Sequence, residues 1–162
     1  MTTTAIEAVL NGLYDTVIAD ATIAAGIAAE TLRVYDGPGL TDFSGPTIVT
    51  IGARPVVDDE SVTSAEFSWA SLGVDGAHAD VDEHWEIPCG ISTRDANSVM
   101  RTARATAFTW TRAIHALVRN SSLGVPTVVL ACQPQITQVR QMRGQSGCDV
   151  IVNFSVVVWT RI

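Results

Sequence analysis

The segment that most restricts the fold is "DVIVNFSVVVWT", residues 149–160. Val150, Val152, Phe154, Val156 and Val158 recur at every second position, with Asn153, Ser155 and Trp159 between them. Successive side chains of an extended chain point to opposite faces, so this alternation puts an all-apolar row on one side of a β-strand. A strand with such a face needs a sheet around it and a layer packed on it. Two further stretches alternate in the same way. From Val62 onward, Ala65, Phe67 and Trp69 oppose Ser64, Glu66 and Ser68; later, Trp85, Ile87, Cys89 and Ile91 oppose Glu86, Pro88 and Gly90. Pro88 has no N–H to give to a ladder, which predicts an edge or a bulge there.

Shorter runs predict strands at about Thr31–Tyr35 and Thr47–Ile51. Thr127–Cys132 reads as an apolar central strand, and Gln135–Arg143 as a mixed, partly exposed one. Helical spacing occurs twice. Ile6, Val9, Leu10, Leu13 and Val17 form one stripe, which Thr3 or Thr4 would cap with Glu7 completing a capping box, and the helix should fade near Gly26. A longer helix is predicted from about Asp95 to Asn120, capped by Asp95 or Ser92, with Gly124 beyond its end. No linker or repeat interrupts residues 1–162, a length that suits one compact domain. The expected class is α+β: one domain with a mixed or largely antiparallel sheet, packed by the long helix and the N-terminal helix. Strict β-α-β alternation is missing, which argues against a doubly wound nucleotide fold.

Signs of chemistry are weak. Gly37-Pro38-Gly39 follows a predicted strand but precedes another strand, Thr47–Ile51. A phosphate-binding loop leads instead into a helix N-terminus, where backbone N–H groups and the dipole hold the anion. Pro38 and Pro46 remove two more donors, and the chain contains no lysine. The segment is read as a stiff bend between strands. His78, Asp80, Asp82 and His84 share a spacing of two, yet four same-face ligands along one strand do not converge on one ion, and a solvated acidic connection is the better reading. Neither G-x-S-x-G nor H-E-x-x-H is present. No catalytic residue, metal site or cofactor is expected. Cys89, Cys132 and Cys148 are far apart among apolar residues and read as reduced core thiols. No apolar run is long enough to span a bilayer. "MTTTAIEAVLNGLYD" lacks the basic start of a signal peptide, so a cytosolic site of synthesis and no membrane partner are expected.

Charge is divided along the chain. Residues 1–95 hold sixteen of the seventeen acids and three arginines, a balance of −13; residues 96–162 hold seven arginines and Asp149, a balance of +6. Such asymmetry points outward, to a partner. On the long helix, at 100° per residue, Arg101, Arg104, Arg112 and Arg119 share one side with Phe108 and His115. Val99, Ala103, Trp110, Ile114 and Leu117 lie opposite and are expected to face the core. An aromatic among arginines is typical of protein–protein contacts. The candidate contact residues are Arg101, Arg104, Phe108, Arg112, His115 and Arg119, with Arg140 and Arg143 further on. A solvated basic face is the competing reading. Nucleic acid is a third, disfavoured by the net charge of −7.

Taken over nearly its full length, the chain resembles the tail terminator (neck) proteins of long-tailed bacteriophages, especially those of actinobacterial hosts. The residues carrying the resemblance are the N-terminal helix, "VYDGPGLTDFSGPTIVTIG", an acidic tip between strands, "SAEFSWASLG", "HWEIPCGIS", the long helix and "GCDVIVNFSVVVWTRI". The resemblance implies a small α+β subunit of a hexameric ring in the virion neck, assembled in the host cytoplasm. That ring ends tail-tube polymerisation and offers the head–tail joining surface. It implies contacts with the tube protein and a connector or head-completion protein, DNA passing through the lumen without specific binding, and no catalysis. Asp58, Asp59 and Glu60 would be a lumen-facing acidic tip. Another neck component, a head-completion or adaptor protein, is the alternative, and a small enzyme with an unrecognised pocket is the rival from a different class.

Overall fold

A computed structural model describes residues 5–39, 45–55, 66–70 and 82–161, with 66–70, 82 and 83 described through their backbone alone. The chain order is α1 (Ile6–Ile18), α2 (Ala21–Ala28), β1 (Leu32–Asp36), β2 (Thr47–Ile51), β3 (Glu66–Ala70), β4 (Asp82–Asp95), α3 (Met100–Val118), β5 (Val129–Gly144) and β6 (Gly147–Arg161). The six strands among the described residues form one mixed sheet in the order β1-β2-β4-β6-β5, with β3 also paired to β4. The expected α+β architecture is observed.

The N-terminal stripe divides into two helices. Val9, Leu13 and Val17 of α1 are fully buried, as their spacing requires. Continuation to Gly26 fails at Asp20, which is extended (φ −68°, ψ 133°) and accepts from the N–H of Thr22 (2.9 Å) and of Ile23 (3.0 Å). A carboxylate that satisfies two orphan amides at a new N-terminus competes well with one more helical turn. The proposed caps Thr3 and Thr4 lie outside the described residues; the N-cap of α1 is Ala5, with no side-chain bond. The close fit of α2 to the long helix depends on Gly26: a β-carbon there would come within 2.8 Å of the Trp110 ring.

β1 and β2 pair in parallel, Leu32 to Thr47 through Asp36 to Ile51. The Gly-Pro segment between them is thus a return to the same end of the sheet, whereas a hairpin would have paired the strands antiparallel. β4 is the structural spine with β6, paired from Asp82–Arg161 to Asp95–Cys148. On its other side β4 pairs with β3 at residues 82–86 and with β2 at residues 89–93. Pro88 falls in the gap between those two partners. The edge or bulge expected from Pro88 is therefore replaced by a central strand whose partner changes at the proline.

Two expectations about β5 are corrected. The strand begins at Val129, after a turn that includes Thr127 and Val128, and joins the rest of Thr127–Cys132 to Gln135–Arg143 as one strand, interrupted only by register shifts between Val129 and Ala131 and between Ile136 and Gln138. That strand lies at the sheet edge, not at its centre. Its outer half, from Gln135 to Gly144, is exposed on both faces.

The core lies between the helices and one face of the sheet. There Phe154, Val156 and Val158 of β6 meet Ile87, Cys89 and Ile91 of β4, under α1 and α3. A smaller cluster joins Ala103 and Ala107 of α3 to Cys148, Val150 and Val152. All three cysteines are free and buried, as expected. Burial pushes the thiols of Cys89 and Cys132 up to about 12, which keeps them un-ionised at neutral pH.

Candidate functional site

The long helix is shorter than its sequence pattern suggests, because β4 continues through Asp95. Asp95 accepts from the N–H of Asn97 (2.7 Å) in a turn ahead of the helix, and the N-cap is Val99, which is 47% exposed. Beyond the C-cap Arg119, Asn120 takes the left-handed conformation (φ 60°) that commonly stops a helix.

The helix is also rotated from the expected orientation. Its buried stripe is Ala103, Ala107, Thr111, Ile114 and Val118. Ala103 and Ile114 were expected there. Val99 is exposed, and Trp110 and Leu117 are half-buried at the flank, packed against the main core. The reason is size. Alanines and a threonine let the helix backbone approach the sheet, and larger side chains fit only at the sides. Thr111 can be buried because its hydroxyl donates to the Ala107 carbonyl (2.8 Å).

This rotation changes the basic face. Arg101, Arg112 and Arg119 are exposed on the outer surface. Arg104, also exposed, reaches across to β5 and donates from Nε (3.1 Å) and Nη2 (2.7 Å) to the Gln141 side-chain oxygen. Phe108 was expected in the open among the arginines; it is half-buried and packs on the cluster of Ala107, Val150 and Val152. Arg140 and Arg143 are exposed on the outer half of β5. Arg143, opposite Cys148, is on the helix side and extends the basic surface from the helix out to the sheet edge, whereas Arg140, opposite Ile151, is on the other face of the sheet. Asp58, Asp59 and Glu60 lie outside the described residues, as do His78 and Asp80. Among the described residues no group of His, Cys, Asp and Glu is arranged to hold a metal ion.

His115 contributes shape and no charge at neutral pH. Its ring meets Phe154 edge-on (centroids 5.1 Å apart), and its Nε2 is buried with no hydrogen-bond partner among the described residues. Burial, and secondarily the Arg119 charge, hold its pKa below the ordinary 6.5. The unfolded chain therefore takes up this proton at a higher pH than the folded chain. The contribution to stability is complete above about 6.5 and is lost as pH falls through the depressed folded value. Melting temperatures between pH 7.5 and 5 should fall more steeply for the natural chain than for His115→Gln. Parallel slopes would show that the ring is not protected.

What sequence reasoning missed is the apolar component of the edge. Ile136 and Val139 of β5 are 46% and 39% exposed. They are the cross-strand neighbours of the buried Phe154 and Val152, so they share the helix-covered face of the sheet yet lie beyond the helix. The signal was present in Gln135–Arg143, whose isolated apolar residues sit among glutamines and arginines.

No protein-family model and no curated protein sequence matches the chain. Solved structures do. A chain of the structure described as "Virion of native gene transfer agent (GTA) particle" superposes with a TM-score of 0.62, covering 99% of this chain and 100% of that one at 15% identity. At that identity the shared feature is the fold, and it extends over the full length of both chains.

Proposed function

We propose that this protein is a structural subunit of a phage-type virion, and that within the virion it is the tail terminator. The observation that carries the first part is the end-to-end fold shared with a chain of a gene transfer agent particle. The second part is supported by the sequence resemblance to tail terminators. In this role the protein acts by binding. A ring of copies, most simply a hexamer, covers the exposed end of the tail tube with a surface that accepts no further tube subunit, and its other side receives the head connector. The arginine side of α3 and the outer half of β5 supply a contact surface, in which Arg101, Arg104, Phe108, Arg112, His115, Arg119, Arg140 and Arg143 are the candidate residues.

The test is assembly in vitro. Purified protein added to growing tail tubes should stop elongation and leave a ring at one tube end, seen by negative-stain electron microscopy. Tubes that lengthen undisturbed, while the protein is retained by the connector, would replace the terminator role with that of a head-completion or adaptor protein.

A further inference from the structure

The helix side of the sheet is not covered to its edge. α3 lies over β6 and β4 and touches β5, and Phe108 on its flank packs on Val150 and Val152. One strand further out, Ile136 and Val139 remain open. The result is a ledge, with Ile136 and Val139 as its floor and Phe108 and the Arg104–Gln141 bridge as its wall. Exposed β-branched residues on a long edge strand are a liability that folded proteins normally suppress, so a covering partner is the physical expectation. As far as Gln138 the backbone edge of β5 is irregular, since Pro134 lacks an N–H and a register shift separates Ile136 from Gln138; from Gln138 to Gly144 its pairing with β6 is unbroken. A contact on the ledge is one made by its side chains.

Charge identifies that partner. From Ala96 to Cys148 there is no acidic side chain, and the ledge is bordered by the exposed Arg104 of α3 and Arg143 of β5. The side of the molecule at the other sheet edge is mainly acidic: Glu7 and Asp15 on α1, Glu30 after α2 and Asp36 on β1 are exposed, with Arg33 of β1 the exposed base among them. Two ledges meeting face to face would oppose guanidinium to guanidinium. A head-to-tail contact opposes unlike charges at every step.

We propose that the β5 ledge is the seat for the acidic α1–α2–β1 side of a second copy of this chain. The proposal rests on the self-assembly part of the reading above and adds which surfaces meet.

The test uses two charge-reversed forms of the full chain, Arg104→Glu/Arg143→Glu and Glu30→Arg/Asp36→Arg, followed by sedimentation velocity at about 0.1 M salt, where screening reaches about 10 Å. Each form alone should associate about tenfold or more weakly than the natural chain. An equal mixture should recover assembly, because each reversed surface then faces a complementary one. Ile136→Lys/Val139→Lys should also dissociate the assembly, with the far-ultraviolet circular dichroism spectrum of the folded chain retained because both positions are partly exposed. If both reversed forms assemble like the natural chain, the ledge is not the seat, and the self-assembly reading survives. If the natural chain sediments as a monomer at every concentration and on tube ends, the self-assembly reading fails, and this contact with it.

Discussion

Phe154→Ala is expected to lower the unfolding free energy by about 3–5 kcal/mol, as for other large aromatic truncations in cores. Phe154 is fully buried, pairs across β4 with Cys89 and across β5 with Ile136, and takes the edge contact of His115. Its neighbours on β6 and β4 are fixed by ladders on both sides, so the space it leaves cannot easily collapse. Truncation leaves a cavity at the centre of the sheet. For a chain of this length each kcal/mol corresponds to roughly 2–4 °C, so a fall in melting temperature of roughly 10 °C is expected. Urea denaturation should give a lower midpoint with unchanged slope. A loss below about 1 kcal/mol would contradict the central position assigned to this ring.

Gly90→Val should come next, at about 1–3 kcal/mol or more. Gly90 pairs with Thr50 on one side and Asn153 on the other, in the middle of β4. The chain leaving β2 turns at Gly52 and folds back so that the Pro55 ring occupies the space of a Gly90 side chain. The Thr50 hydroxyl holds that return by donating to the Ala53 carbonyl (2.8 Å). Valine prefers strands to glycine, but the whole span of that preference is only ~1 kcal/mol. It acts against a rigid ring and the Asn153 side-chain oxygen, 3.2 Å from the new carbon. Gly144→Ala is the control: nothing lies within 4 Å of its β-carbon, and stability should stay within about 0.5 kcal/mol. Equal effects at both positions would mean that β-propensity, and not Pro55, governs the site.

Much of the architecture was legible in the residues. The strand at Thr47–Ile51 matched, and the alternation of Val150 to Val158 placed the buried row of β6. The two faces of β6 differ little in solvent access, since Ile151, Asn153, Ser155 and Val157 are buried as well; the alternation reports which row is wholly apolar and so lies under the helices. The errors share a cause. α3 was oriented by its large apolar residues, whereas close packing on a sheet selects the small ones, Ala103, Ala107 and Thr111. The break at Asp20 was invisible to apolar periodicity, because a cap is a hydrogen-bonding event. Thr127–Cys132 looked central because apolar composition reports burial and not neighbours. Of the candidate site, the exposure of the arginines was readable. The partial burial of Phe108 followed from the helix rotation, and the openness of Ile136 and Val139 depended on how far α3 reaches across the sheet.

The position of β6 bears on how the chain can be made. It follows every other described strand in the sequence, yet it stands between β4 and β5 and is paired to both along most of its length. During synthesis the ribosome delivers the two flanking strands before the one that unites them, so the nascent chain holds an open apolar seam until residues 147–161 emerge. Non-local pairing of this kind closes late and slowly. Shortening the chain within that segment would leave no smaller folded version of the protein, since what is removed is the middle of the sheet.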